Sequence, residues 1–548
     1  MRRALQGLPV FPLLAVLVLP WALLWPLPRI FASALLTSPL SEGATHLWTW
    51  WAALRERQIF TVHTTLLNYP DGLQFQLIDP MHVVPYALGS LLGPAAGFNA
   101  VLVWGLVIGG LGGLLLAREA GADTGGQLLG VAMGASAPTL LAVATDGIAE
   151  GLGAGWVGVQ LALLWSFRRG ASPGRVLALG LAIAAGALSG PYNAVWMAIL
   201  DLPLGLWLLR RTRAPLASAV LALAICAPYL WAILQRDPNM PGGESREGLG
   251  QALVVEPWRA AGERGVDLLD LFVPAPLTGA FSDLPHTAYL GVVSLFLAGL
   301  GAARMRRERR PGALAWPWLL GAAVFATLAL GPWLSIGGHF PTVGGKALVA
   351  PAGLLALWTP LGRLSRWYRA GAVAVLLLVP LAVRAMRGRW AWLAAGLVLL
   401  DARFLAPLPL AFETYPLQAA PALAGIEGPI AELPPIHPMF MADQPADLNL
   451  LLQTLHGQPT NGTIHSIRGL ATNSDALRTL RRVATGEARS GDSAVEATQA
   501  LEQHGYRWLA VYRGFFPQAG IEGLSAQLGA PSSEDDRVVV YLLSSAPR

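Results

Sequence analysis

Long apolar runs separated by short polar breaks fill the chain up to about residue 406. A bilayer span needs about 20 largely apolar residues. Eleven runs qualify, at roughly 9–32, 96–117, 127–145, 151–167, 175–190, 192–210, 215–234, 286–304, 314–333, 370–386 and 390–406. Several contain Gly and Pro, which membrane helices tolerate better than soluble ones. The pattern predicts a membrane all-α bundle of about 11 transmembrane helices. Two further apolar stretches, 81–93 and 343–362, are too short or too broken to cross and read as interfacial or re-entrant. The second runs into Arg363, Arg366, Trp367 and Arg369, residue types that favour the headgroup level.

The pattern changes at residue 407. Continuous apolar runs give way to strand-like segments at Pro429–Leu433, Trp508–Tyr512 and Val538–Leu543, with helical periodicity over 474–487 and 494–504. This predicts a small C-terminal α/β domain over 407–548, following a transmembrane domain over 1–406 whose first external loop is 33–95.

Composition agrees: 54% of residues are hydrophobic and 13% charged, against about 25% charged in a soluble domain. The basic clusters supply orientation. Arg2 and Arg3, Arg118, Arg168 with Arg169 and Arg175, Arg210 with Arg211 and Arg213, Arg304 to Arg310, and Arg387 with Arg389 all fall on one side if the spans alternate. By the positive-inside rule that side is cytoplasmic. The N-terminus is then cytoplasmic, and the 33–95, 235–285 and 334–369 loops and the C-terminal domain are extracytoplasmic. The arrangement fits a multi-pass protein of a bacterial cytoplasmic (inner) membrane. The critical junction is Ser189–Tyr192, because a single kinked span there would invert everything downstream. The first apolar run exceeds the roughly 7–15 residues of a signal-peptide core, so it reads as an uncleaved first span. A net charge of +5 spread over such loops gives no argument for nucleic acid, and the single Cys226 excludes an intrachain disulfide.

Candidate chemistry concentrates in Ser41–Asp79, a polar island holding Glu42, Asp71, Asp79, His46, His63 and the Trp48, Trp50, Trp51 cluster. Glu42 could act as a general base beside a substrate hydroxyl in a partly dry pocket. It could equally be a solvated acid at a helix start. Asp71, in Tyr69-Pro70-Asp71-Gly72, reads first as a turn residue, and Asp79 before Pro80 as an N-cap. Either could also join Glu42 around a sugar, with His46 and Trp48 as further substrate contacts. Asp146 and Glu150 lie at a bundle mouth, spaced as one helical turn, and mark a pathway or a solvated cap. Tyr192 and Asn193 follow a polar break and could hydrogen-bond a sugar. Lys346, Arg363, Arg366 and Arg369 could hold a lipid-linked phosphate, or anchor on lipid headgroups. No cofactor is expected. The loop has the donor types of a divalent-metal site, but their spacing matches no ligand signature. There is no P-loop, GxGxxG, HExxH or nucleophile elbow, which argues against nucleotide-driven pumps, nucleotide-cofactor enzymes and standard hydrolases.

The chain resembles the GT-C superfamily of integral membrane glycosyltransferases, which includes protein O-mannosyltransferases and the aminoarabinose transferase of lipid A. It looks closest to uncharacterised bacterial members. The resemblance rests on Glu42, His46-Leu47-Trp48, Tyr69-Pro70-Asp71-Gly72, Phe98-Asn99, Leu330-Gly331-Pro332 and the Arg363/Arg366 region. In the tail it rests on Ala431-Glu432-Leu433-Pro434 and the 453–459 segment. It implies inverting transfer from a polyprenyl-phosphate sugar to a glycan, lipid or protein acceptor at the outer face. A first-loop carboxylate would be the base: Glu42, with Asp71 orienting substrate or replacing it. Where the superfamily often has Asp, this chain has Glu42, and its usual aromatic-Arg-Phe pattern is replaced by Arg366-Trp367-Tyr368-Arg369. A reading from another class is a lipid-linked-sugar transporter or envelope-assembly scaffold without chemistry. No inverted halves support a transporter.

Overall fold

The computed structural model describes residues 10–543 apart from 39–40, 236–264, 280–286, 309–314, 359–363, 365, 410, 435–447, 463 and 465–473. Arg2, Arg3, Arg309, Arg310, Arg363 and most of the 235–285 loop lie outside the described residues.

All eleven predicted runs contain helix: Val10–Leu23, Pro94–Glu119, Thr124–Ala135 with Pro138–Thr145, Gly155–Ser166, Pro173–Leu188, Pro191–Leu209, Ala214–Leu234, Val292–Glu308, Trp316–Ala329, Ala370–Ala385 and Arg389–Phe404. Among the described residues, four helices are long and apolar enough to cross a membrane alone, or five with one bent pair counted as a span. That pair lies in the 127–145 run. Pro138 cannot donate a backbone hydrogen bond, and the helix bends by 43° between Ala135 and Pro138. At the Ser189–Tyr192 junction the chain turns through Gly190, at φ +145°, and forms two separate helices rather than one kinked one.

The Trp367–Ala385 helix is the axis of the bundle, with 94% of its apolar window buried, whereas Ala214–Leu234 is a peripheral helix with 11% buried. Close packing next to the axis depends on small residues. Gly109 and Gly113 on Pro94–Glu119 face Gly130 and Gly134 on Thr124–Ala135, and a Cβ on Gly113 would lie 1.9 Å from Gly130 O. Backbones that touch in this way gain dispersion contacts that larger side chains would prevent.

The first loop is folded. It runs through the helix Gly43–Arg55, an antiparallel hairpin pairing Thr61–Thr64 with Leu73–Gln76, and a short helical stretch from Pro80 to Ser90. The C-terminal part centres on a four-stranded sheet in the order Ile430–Leu433, Trp508–Tyr512, Val538–Leu542, Ser533–Glu534. Its first pair is parallel and the others antiparallel. The helices Ser474–Thr485, Ala494–Gln503 and Gln518–Leu528 contribute to the apolar core on one of its faces. The strand-like sequence runs coincide with these strands to within a residue. The helices Leu448–His456 and Gln518–Leu528 were not foreseen.

The C-terminal part clamps the first loop. Thr460 N donates to Leu66 O (2.8 Å), Tyr69 N to Thr460 O (3.0 Å) and Asn68 N to Gly462 O (2.9 Å). The fully buried Gln453 accepts from Trp48 Nε1 at 2.7 Å and donates to Leu66 O at 2.5 Å. Ala34–Leu35, at the start of the loop, pairs with Tyr415–Pro416, which precedes the sheet. The loop is therefore braced at its start and its middle by chain that follows the bundle.

Replacing Gly113 with Ala should cost about 1–3 kcal/mol through overpacking. The same change at Gly299, which has no atom within 4 Å of its would-be Cβ, should be nearly silent. Unfolding of the two variants in detergent checks this.

Candidate functional site

The site begins with a turn. Thr37 Oγ1 and Ser41 Oγ lie 2.5 Å apart, Ser41 Oγ accepts from Gly43 N at 3.1 Å, and Thr37 Oγ1 donates to Asp146 O at 3.1 Å. Two glycines let these segments meet: a Cβ on Gly147 would lie 2.7 Å from Thr37 Oγ1 and 3.0 Å from Gly43 Cα. Gly147 also has φ +74°, a conformation that L side chains rarely adopt. The contact places Glu42, at the start of Gly43–Arg55, beside Asp146, at the end of Pro138–Thr145.

Glu42 occupies the N-cap position but makes no capping bond. Its carboxylate accepts from Arg366 Nη2 at 3.4 Å, and its side chain is 39% exposed, against 23% for Arg366. Burial and the charge of Glu42 push Asp146 up to about 7, Arg366 works against them, and Glu413 adds to the rise. Glu413 lies in the segment leading to the C-terminal sheet, and nothing in the sequence marked it.

Behind this open pair lies a closed one. Arg369, 3% exposed, donates to Glu150 Oε2 at 2.7 Å. Burial alone would raise the Glu150 carboxyl, but the Arg369 charge outweighs it, and with help from His46 and Arg366 holds it down at about 2. The Arg369 guanidinium stacks over the Tyr192 ring at 4.5 Å, and Tyr192 Oη accepts from Arg366 N at 3.0 Å. Arg369 Nε and Nη1 and the buried Asn193 Nδ2 have no hydrogen-bond partner among the described residues. The sequence spacing placed Asp146 and Glu150 on one helix face. Instead Asp146 ends one helix, Gly147 turns the chain, and Glu150 lies in the 3-10 stretch Ala149–Ala154. Glu150 thus bonds Arg369, while Asp146 stands in the field of Glu42 and Arg366.

A third cluster joins the loop to the site. Asp79 is buried and accepts from Trp50 Nε1 at 3.1 Å; its Oδ2 lies 3.0 Å from His82 Nδ1 and 4.0 Å from His46 Nδ1. Asp79 does occupy the N-cap position before Pro80, but its side chain makes no capping bond. His82 and Trp50 complete this cluster. The i, i+3 spacing of Asp79 and His82 was the available signal for His82.

The remaining candidates lie elsewhere. Trp48 is fully buried, and its indole N–H goes to Gln453. Asp71 is exposed in the turn next to Tyr69, whose carbonyl oxygen accepts from Tyr506 OH. Lys346 is exposed on the hairpin that pairs Thr342–Val343 with Lys346–Ala347. Arg363 lies outside the described residues. Among those residues, no three His, Cys, Asp or Glu side chains are grouped to hold a metal ion.

No known family's sequence profile matches the chain, and no curated protein sequence is similar to it. Two solved structures of the arabinofuranosyltransferase AftD from Mycobacteria are similar in fold. One, a mutant form, gives a TM-score of 0.54 at 15% identity, covering 98% of this chain and 42% of AftD. The other gives 0.52 at 14%, covering 98% and 40%. The chain thus shares the fold of AftD, which is a GT-C fold. Its long apolar helices mark it as a membrane protein. It spans about two-fifths of the length of AftD. An oligosaccharyltransferase from Archaeoglobus fulgidus aligns over 94% of this chain and 70% of its own at 12% identity, but its TM-score of 0.32 is too low to bear on the fold.

Glu150→Gln should destabilise the protein by about 3–5 kcal/mol, because it leaves the buried Arg369 without a counter-charge. Thermal unfolding in detergent measures it. Asp146 makes a second prediction. Its folded value lies above the unfolded 3.8, so the folded state holds the extra proton between about pH 4 and 7. The stability it contributes is present in acid and lost as pH rises through that window. Asp146→Asn should flatten this slope in unfolding measured from pH 4 to 8.

Proposed function

We propose that the chain is a membrane glycosyltransferase that transfers a sugar, with inversion, from a polyprenyl-phosphate donor to a glycan, lipid or protein acceptor. The end of the bundle carrying the first loop and the C-terminal domain faces away from the cytoplasm, a reading supported by the arginine-rich loops under the positive-inside rule. The observation that carries the reading is the exposed Glu42 carboxylate paired at 3.4 Å with Arg366, at the loop end of a GT-C fold.

In this reading Glu42 removes the proton from the acceptor hydroxyl as its oxygen attacks the anomeric carbon of the donor sugar. The bond from that carbon to the phosphate oxygen breaks, and the phosphate leaves with the electron pair. Arg366, the more exposed arginine, neutralises the phosphate charge. Arg369 is too buried to reach a substrate without rearrangement. Its role is to fix Glu150 and Tyr192, and through the Tyr192 hydroxyl to hold the backbone of Arg366. Asp146 keeps a second, readily protonated carboxyl next to Glu42.

Glu42→Gln should lower transfer from a polyprenyl-phosphate sugar by about 10²–10⁴-fold, the usual contribution of a general base. It should shift thermal unfolding by no more than about 1 kcal/mol, because the Glu42–Arg366 pair is partly open to solvent. Full activity in that variant removes Glu42 from the mechanism.

A further inference from the structure

The segment after Trp316–Ala329 has an unusual charge pattern. No Asp or Glu occurs between Glu308 and Asp401, and Lys346, the only lysine of the chain, falls within this stretch. Lys346 sits on a two-residue-strand hairpin, directly opposite Val343. Gly344 and Gly345, with φ +59° and +75°, form its tip. Val343 is 68% exposed, and Ile336, Leu348, Val349 and Leu354 nearby are exposed as well.

A β-branched side chain left this open on a hairpin in water stabilises nothing; next to a lysine at a lipid surface, it gains apolar contact. The element from which the hairpin emerges supports that surroundings. Trp316, Leu319, Leu320 and Val324 are exposed along Trp316–Ala329, so this apolar helix presents a side to lipid. The hairpin is tied to the end of that helix. Trp333 bridges to Val349, Leu334 N donates to Leu348 O at 3.0 Å, and Ala350 N donates to Pro332 O at 2.9 Å. A rigid connection this short keeps the hairpin near the rim of the bundle, at the level where a lipid-facing helix leaves the hydrocarbon.

We infer that the Thr342–Ala347 hairpin docks on the bilayer surface, with Val343 inserted among acyl chains and Lys346 on the phosphates of anionic lipids. The hairpin carries a cation and no acid of its own, and the Asp267 carboxylate at its base is occupied by Ser335, Gly337 and Gly338, so it fits an anionic headgroup layer. The inference needs no transfer chemistry, so it stands or falls separately from the proposed function. It gives Lys346 a bulk-lipid partner rather than the donor phosphate.

The test uses the full chain in vesicles of phosphatidylcholine with one quarter phosphatidylglycerol. Cys226 is the only cysteine, so Cys226→Ala gives a background in which Val343→Cys takes a single environment-sensitive fluorophore. Gln503→Cys, on the exposed end of the Ala494–Gln503 helix, is the aqueous control. The label at 343 should be quenched by lipids carrying a shallow nitroxide and protected from iodide, and the label at 503 should show the reverse. Adding Lys346→Glu should cut the lipid quenching at 343 about fivefold in the anionic vesicles and little in pure phosphatidylcholine. Iodide quenching at 343 equal to that at 503 overturns the inference. So does lipid quenching that appears only when a polyprenyl phosphate is added, which would return Lys346 to the donor site.

Discussion

The buried pair of Arg369 and Glu150 is the fixed point of the loop end of the bundle. A guanidinium at 3% exposure is tolerable only with a carboxylate at 2.7 Å and an aromatic face beside it, and Tyr192 supplies the face at 4.5 Å. Because Arg369 opens the axial helix and Glu150 follows the bent helix pair, their bond ties the centre of the bundle to its mouth. Tyr192 extends the tie to the start of Pro191–Leu209, and its hydroxyl then holds the backbone of Arg366. The position of Arg366 therefore depends on Arg369.

The other half of the site is held by backbone rather than charge. Gly43 and Gly147 let the first loop and the bent helix touch through Thr37 and Ser41, and that contact brings Glu42 and Asp146 to the same guanidinium. The loop itself is braced from beyond the bundle, by Gln453 on Trp48 and by the Thr460 to Gly462 backbone on Leu66 to Tyr69. The C-terminal part of the chain thus acts on the position of the first-loop helix.

Much of the fold was legible because apolar period and length report helix directly. The eleven runs and three strands came from that signal alone. Proline limited it: the 127–145 run is one stretch of hydropathy but two helices, broken before Pro138. The grouping of Glu42, Asp79, Asp146, Glu150, Tyr192 and Arg366 at one end of the bundle followed from alternating the spans, which needs only topology. What the sequence did not carry was contact. Trp48, expected as a substrate contact, is buried against Gln453, 405 residues away along the chain. Asp146 and Glu150 looked like a helical pair because the turn at Gly147 has no hydropathy signature. Glu413 and Gln453 act across long separations that no local pattern records.

The most direct test of the account is a structure of the full protein with a polyprenyl-phosphate sugar bound. The donor phosphate should lie within hydrogen-bond reach of Arg366, and the anomeric carbon where a hydroxyl held by Glu42 can attack it. A headgroup bound away from both residues, with Glu42 and Arg366 still paired, would contradict it.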